Sequence, residues 1–370
     1  MKKLDRRTFV KLGAAGIAAP AIIGRASSVS AQDAFKGEGL IVVSWSGNYE
    51  LKFKDAVVDA FNAKYGTKVE TVGGWDQMVP QIKAAPADNP PFDITVSDEY
   101  TALTGLAENL FVKTDRSKMP GFAHVYPWFD ENRPAGKDYG VPFGGGTIWM
   151  LANKSAGIPV NTWTSLWDPK AQGKITLDAT VFAWDLCIPA ILDKGKPGIE
   201  ELYGKPEEVR KLYDELDKLK VARWYADGAE LANLMFQEDA EVAMAYSTDV
   251  YDFLTKHGDQ FDAAVPAEGT ATYCDWYIKV RGTHHSDLAD LFQSYLLEQE
   301  TQQNFLNVSS AFMSRDDLKA PAHFPGYPKS NDDYHKMFNV LTMEGWAKFV
   351  ENWDQYDQWI KQTITKTTQG

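Results

Sequence analysis

The chain has 370 residues, 44% of them hydrophobic and 24% charged, with a formal net charge of −13. That is globular composition, long enough for two domains of ordinary size. The acidic balance repels nucleic acid and anionic lipid and attracts cations, and past the N-terminus no run of about 18 uninterrupted apolar residues is available to span a bilayer.

In chain order, the first stretch reads as an export signal. Asp5-Arg6-Arg7-Thr8-Phe9-Val10-Lys11 has the twin-arginine pattern, Leu12 to Ile23 is apolar and small, and Val29-Ser30-Ala31 is a small-x-small site for cleavage after Ala31. Residues 1–31 are therefore expected to be a signal peptide, and the mature protein is expected in the periplasm, exported folded by the twin-arginine pathway. Cleavage removes Lys2, Lys3, Arg6, Arg7, Lys11 and Arg25 against Asp5 alone, so the mature chain is more acidic still. The two cysteines, Cys187 and Cys274, leave open one disulfide or two buried thiols.

Gly39 to Trp45 reads as a buried strand. Leu51, Phe53, Ala56, Val57, Ala60 and Phe61 then recur at helical spacing up to Gly66, and residues 68–72 read as a second strand. Strand, helix and strand in that order predict an α/β fold with a parallel opening sheet. Ligands of such sheets bind at the carboxyl ends of the strands. Trp45, Ser46 and Asn48 lie at one end, Trp75 at another, and Asp98-Glu99-Tyr100 follow a third strand over 92–97.

Residues 139–152 read as a loop, with Gly144 to Gly146 permitting a sharp backbone change between domains, feeding an apolar strand. The glycines lack the Gly-Lys-Ser/Thr ending of a phosphate cradle. A short helix after Thr162 stops at Pro169. A strand over 173–178 ends in Asp178. Helices are predicted over 206–219 and 229–236, and a strand over 241–246 ends in Tyr246 with Asp249 just beyond. Tyr273-Cys274-Asp275-Trp276-Tyr277 leads into a further strand to Val280. One long helix is expected from Ser286 to Phe305. His284-His285 before it read as a solvated loop, and no Cys or His cluster has zinc spacing. The tail over 334–364 is helical, its aromatic stripe (Phe338, Trp346, Phe349, Trp353, Tyr356, Trp359) reading as packing.

Carboxylates alternating with aromatic rings, in Tyr246 and Asp249 and again in Tyr273 and Asp275, are suited to holding a cation. The ring face attracts positive charge and the carboxylate neutralises it. No serine elbow, HExxH, Cys–His pair or cofactor-binding glycine motif is present, so no catalytic residue, cofactor or bound metal is expected. The competing reading is an exported hydrolase in which Asp178 and Asp275 act as an acid–base pair.

Several of these pieces together carry a likeness: the export signal, the strand ending in Trp45, Pro142-Phe143-Gly144-Gly145-Gly146-Thr147, Trp163-Thr164-Ser165-Leu166-Trp167-Asp168-Pro169 followed by Gly173-Lys174-Ile175-Thr176, and the Tyr246 and Asp275 strands. Over nearly the whole mature chain the sequence resembles the periplasmic solute-binding proteins of ABC importers, in particular the spermidine/putrescine-binding subgroup. The resemblance implies a two-domain periplasmic-binding-protein fold of type II with the ligand cleft between domains. One domain would comprise 32–150 with 273–321, the other 151–272 with 322–370. It implies a small-molecule amine ligand, an ABC membrane permease as partner, no nucleic acid, and a monomer.

Carried over by position, Trp45 resembles an aromatic wall, Asp178 a carboxylate of the second domain, and Tyr246 and Tyr273 stand where the family has tryptophan. Asp275 resembles the main amine anchor. With Asn48, Glu99 and Asp249 from the strand tips, these residues form the expected ligand set. Three departures point to a smaller or singly charged amine. Val181 replaces an expected acid, with Asp185 beside Trp184 as a substitute. Two tryptophans are tyrosines. Asp98-Glu99-Tyr100 replace Ser/Thr and Tyr. Relatives of the superfamily take thiamine, ferric iron, 4-aminobutyrate or phosphonates. An anionic group would need an arginine, for which Arg223 stands near a plausible rim, or a helix N-terminus.

Overall fold

The computed structural model describes residues 34–75, 77–131, 133, 136–180, 203–272, 274–324, 326–339 and 343–368. The signal peptide, Val181, Trp184, Asp185, Cys187 and Tyr273 lie outside the described residues.

β1 (Gly39–Trp45) and β2 (Lys68–Gly74) pair in parallel over their whole length. The connection is helical over Asn48–Phe53, Lys54–Val58 and Asp59–Tyr65, and it buries Phe53, Val57 and Phe61 of the apolar series, whereas Leu51 of the same series is exposed. Gly66 ends it with φ 69°, a left-handed turn that glycine adopts without strain. β3 (Ile94–Ser97) joins β1 in parallel. After β4 (Val141–Gly145) only two residues intervene before β5 (Ile148–Asn153), which lies in a different sheet.

Gly144 and Gly145 are therefore strand residues, not loop. A Cβ on Gly144 would lie 2.7 Å from the Phe312 carbonyl oxygen, so close approach of the neighbouring strand, rather than a sharp bend, requires glycine there.

The second sheet contains β5, β6 (Ile175–Asp178), β7 (Val221–Tyr225), β8 (Val242–Tyr246) and β9 (Phe261–Ala264), in the order β7-β6-β8-β5-β9. β6 runs parallel to β7 and β8, while β5 is antiparallel to β8 and β9. β10 (Thr270–Ala271) leads out of this sheet, and β11 (Asp275–Lys279) and β12 (Phe312–Met313) complete the first, whose order is β12-β4-β11-β3-β1-β2. β11 is antiparallel to β3 and β4. The opening is parallel as expected, but the whole sheet is mixed. Because β11 runs the other way, its first residue, Asp275, reaches the same edge as the last residues of β1 and β3.

The helix expected from Ser286 to Phe305 is two helices, Ser286–Leu296 and Gln299–Val308. Nothing local forces the break. Tertiary partners take the carbonyls at the first helix's end: Gln302 donates to the Leu296 oxygen at 3.0 Å and Arg315 to the Leu297 oxygen at 2.6 Å. The tail is also divided. Helix Asn331–Met337 and strand β13 (Phe338–Asn339), paired with β10, pack Tyr334 and Phe338 on Phe312 beside the first sheet. Helices Met343–Glu351 and Trp353–Thr368 cover the second, with Trp346, Phe349 and Tyr356 in its core. The aromatic stripe is packing.

Gly140 sits at the entry to β4 with φ 82°, and a Cβ there would fall 2.6 Å from the Tyr277 carbonyl on β11. Gly140→Ala is expected to combine backbone strain with this clash and cost about 2 kcal/mol or more in stability. Urea unfolding of the variant checks the value; loss under about 0.5 kcal/mol would mean the backbone relaxes freely.

Candidate functional site

Strand ends of the two sheets approach each other where Asn48, just after β1, bonds Asp249, just after β8. Trp45 ends β1, Asp98 follows β3, and Asp275 begins β11 on the first sheet. Asp178 ends β6 and Tyr246 ends β8 on the second.

Asp275 is 1% exposed. The indole Nε1 of Trp45 donates to its Oδ1 at 2.7 Å. No lysine, arginine or histidine lies within ion-pair distance of it among the described residues. Burial pushes this carboxyl up to about 7; hydrogen bonds from Trp45 and Tyr49 pull it back, and the charge of Asp98 pushes it further. Trp75 stands beside Trp45 with ring centroids 5.5 Å apart and an interplanar angle of 32°, and Trp75 is exposed. The two rings form a wall with an acid at its foot.

On the second sheet, Asp178 is buried and accepts hydrogen bonds from the backbone N–H and hydroxyl of Thr180. Burial raises its carboxyl to about 6, opposed by Thr180, assisted by the charge of Asp249, and opposed again by a hydrogen bond with Tyr246. The two sheets thus present a pair of buried acids bordered by Trp45, Trp75 and Tyr246. A cation brought beside a carboxylate that burial has raised favours its ionised form.

Two expected ligand residues meet each other instead. The Asn48 amide donates to Asp249 Oδ1 at 2.7 Å across the groove. Glu99 takes a different place again. It is 1% exposed and accepts from the Cys274 N–H at 3.2 Å, next to the fully buried Arg133. Desolvation and the charge of Asp98 raise Glu99 to about 8, with Arg133 opposing. Its carboxyl therefore holds the backbone that leads into Asp275.

The sequence reading missed Lys52, Tyr49 and Arg133. Lys52 follows Asn48 by four residues, so the two share one helical face, and that spacing was the available signal. Arg133 had none, because only the fold carries it to Glu99.

Two α/β layers joined by short crossings carry these acids and rings at their strand ends. Comparison places this architecture further. The chain belongs to the bacterial extracellular solute-binding protein family, whose model matches residues 56–331. No curated protein sequence matches it. Among similar solved structures is a binding protein, AgtB, from A. tumefaciens R10 in complex with agropinic acid (TM-score 0.68, 19% identity, 89% of this chain and 99% of that one). The spermidine/putrescine substrate-binding protein PotD from Streptococcus pneumoniae gives a TM-score of 0.62 at 18% identity, covering 88% and 100%. The Atu4243 GABA receptor gives 0.69 at 18%, covering 88% and 98%. At these identities the likeness is one of fold, the two-domain periplasmic-binding-protein arrangement. No helix among the described residues is long and apolar enough to cross a membrane.

Proposed function

We propose that the chain is the solute-binding component of an ABC importer and that its cleft takes a polyamine or a related organic amine. The observation that carries this reading is Asp275, a carboxyl almost wholly buried at the foot of an aromatic wall with no basic partner among the described residues. An alkylammonium supplies the missing charge, and its methylenes fit against Trp45 and Trp75. Asp178, with Tyr246, would meet the amine from the second sheet. Tyr273 is assigned to the same wall on the sequence resemblance alone. Contacts to both lobes form only when the groove is closed, so the amine would shift the population towards closure.

The division into 32–150 with 273–321 and 151–272 with 322–370 is the proposed frame for that motion, with Tyr334 and Phe338 of the second set reaching back to Phe312 of the first. The twin-arginine pattern supports export of a folded monomer to the periplasm, where it would meet its permease. Zwitterionic solutes are the second reading, favoured by the fold likeness to a GABA receptor.

Thermal melting of the mature protein against spermidine, putrescine, spermine, choline, thiamine, 4-aminobutyrate, 2-aminoethylphosphonate and ferric iron tests the reading. A ligand that binds only the folded state raises the melting temperature with concentration over Kd. The expected result is a shift with an amine. A shift confined to 4-aminobutyrate, the phosphonate or iron overturns the ligand and keeps the family.

A further inference from the structure

The helix that follows β1 reaches across the groove with two side chains from one face, Asn48 and Lys52. Asn48 binds Asp249, as described. The Lys52 ammonium enters a cage built entirely by the helix Ser247–Lys256 of the other lobe. It donates to the Thr248 carbonyl, stands 3.5 Å from Asp252 Oδ1, and lies 4.5 Å above the ring of Tyr251. The Lys52 side chain is 13% exposed and that of Asp252 31%.

An ordinary surface ion pair joins two solvated chains and contributes little. This ammonium has instead exchanged most of its water for a carbonyl, a carboxylate and a ring face. Asp249 is itself fixed. A Cβ on Gly228 would overlap its carboxyl, so only glycine at that position leaves the Asp249 carboxyl its place. Elsewhere Tyr100, on the helix after β3, stacks on Trp353 with centroids 4.9 Å apart, a second contact between the lobes. The two contacts differ in kind: one is a stack of rings, the other a tethered cation in a cage.

We propose that Lys52, with Asn48, is a closing latch: an internal ammonium that seats in the Thr248–Tyr251–Asp252 cage of the facing lobe and stabilises the closed form before any solute arrives. All of these contacts join the two lobes, so opening the groove breaks every one and rehydrates the ammonium. The latch therefore biases the opening equilibrium directly. It also engages Asp249 through Asn48 and Asp252 through Lys52, the latter carboxylate also pairing with Lys256 of its own helix, leaving Asp275 and Asp178 for the solute. The latch is independent of which solute binds, because its partners are all parts of this chain.

The test places one dye on each lobe and measures the interlobe distance by single-molecule energy transfer in the solute-free protein. The variants are Lys52→Met, Asp252→Asn and the double substitution. The expected result is a closed subpopulation in the wild type that is depleted in each single variant, with the double variant no more open than Lys52→Met. Where a solute has been found, Lys52→Met weakens it by roughly tenfold, chiefly through faster release, since apparent affinity scales with the fraction of competent protein. Asp252 is partly exposed, so its substitution keeps the test usable if Lys52→Met folds poorly. An unchanged distance distribution in Asp252→Asn and in any folded Lys52→Met, or purely additive effects in the double variant, overturns the latch. Failure of every amine to bind would overturn the ligand reading and leave this distance measurement intact.

Discussion

Asp275→Asn is expected to remove amine binding while leaving a folded, more alkali-tolerant protein. Asparagine fills nearly the same volume and still accepts from the Trp45 indole, which sits 2.7 Å from the present carboxylate oxygen. It cannot neutralise an ammonium. Loss of one partner from a buried charge pair costs about 2–5 kcal/mol, a weakening of roughly thirtyfold or more. The substitution also removes a charge that the apo protein buries at a cost. Calorimetric titration and melting at pH 8 together check the pair of effects. Lower affinity with a higher apo melting temperature is expected. Unchanged affinity would show that the solute does not use Asp275.

The second large effect is opposite pH dependence of the empty and filled protein. Glu99, Asp275 and Asp178 are raised in the folded state to about 8, 7 and 6, by burial first in each case. Their unfolded values lie near 4. The folded state therefore holds more protons than the unfolded one between about pH 4 and these values, and stability falls as pH rises. The contribution is fully present below the unfolded value and is lost as pH passes through about 6, 7 and 8. Burial raises the Asp249 carboxyl in the same sense, while His323, lowered by burial, works in the opposite sense at the acidic end.

The apo melting temperature should therefore decline from pH 5 to pH 8. Cation binding needs the ionised acids, so affinity for an amine should rise over the same range and level off above about pH 8. Melting curves at four pH values, with and without ligand, check both slopes. An apo protein that becomes more stable from pH 5 to 8 contradicts the assignment of these acids as groups raised by burial.

Part of this was legible in the sequence, for identifiable reasons. β1, β2 and the connecting helix follow from local apolar spacing, and Trp45 is placed at the groove by the rule for strand ends. Asp275 shares an edge with Trp45 because β11 begins at that residue and runs antiparallel to β3, a direction that local spacing did not show. What was not legible came from distant partners. The split between Ser286–Leu296 and Gln299–Val308 depends on Gln302 and Arg315 capturing carbonyls. The strand character of Gly144 and Gly145 depends on Phe312 lying alongside. Asn48 and Asp249 were both expected to face solute because each sits at a strand tip. Sequence could not show that their tips face each other from opposite lobes. Glu99 was grouped with the same tips, yet its side chain turns back to Cys274, a contact 175 residues away along the chain.

The most direct test of the amine reading is the proton balance of binding. Titration of the mature protein with putrescine and with spermidine near pH 6.5, in buffers of different ionisation enthalpy, counts protons exchanged per ligand. An amine is already charged at that pH, whereas Asp275 is still largely protonated. Binding should then release up to about one proton from the Asp275 site, and the release should vanish above about pH 8.5. Proton uptake on binding, or affinity that weakens as pH rises, would mean that the cleft serves an anionic group and that the cation assignment is wrong.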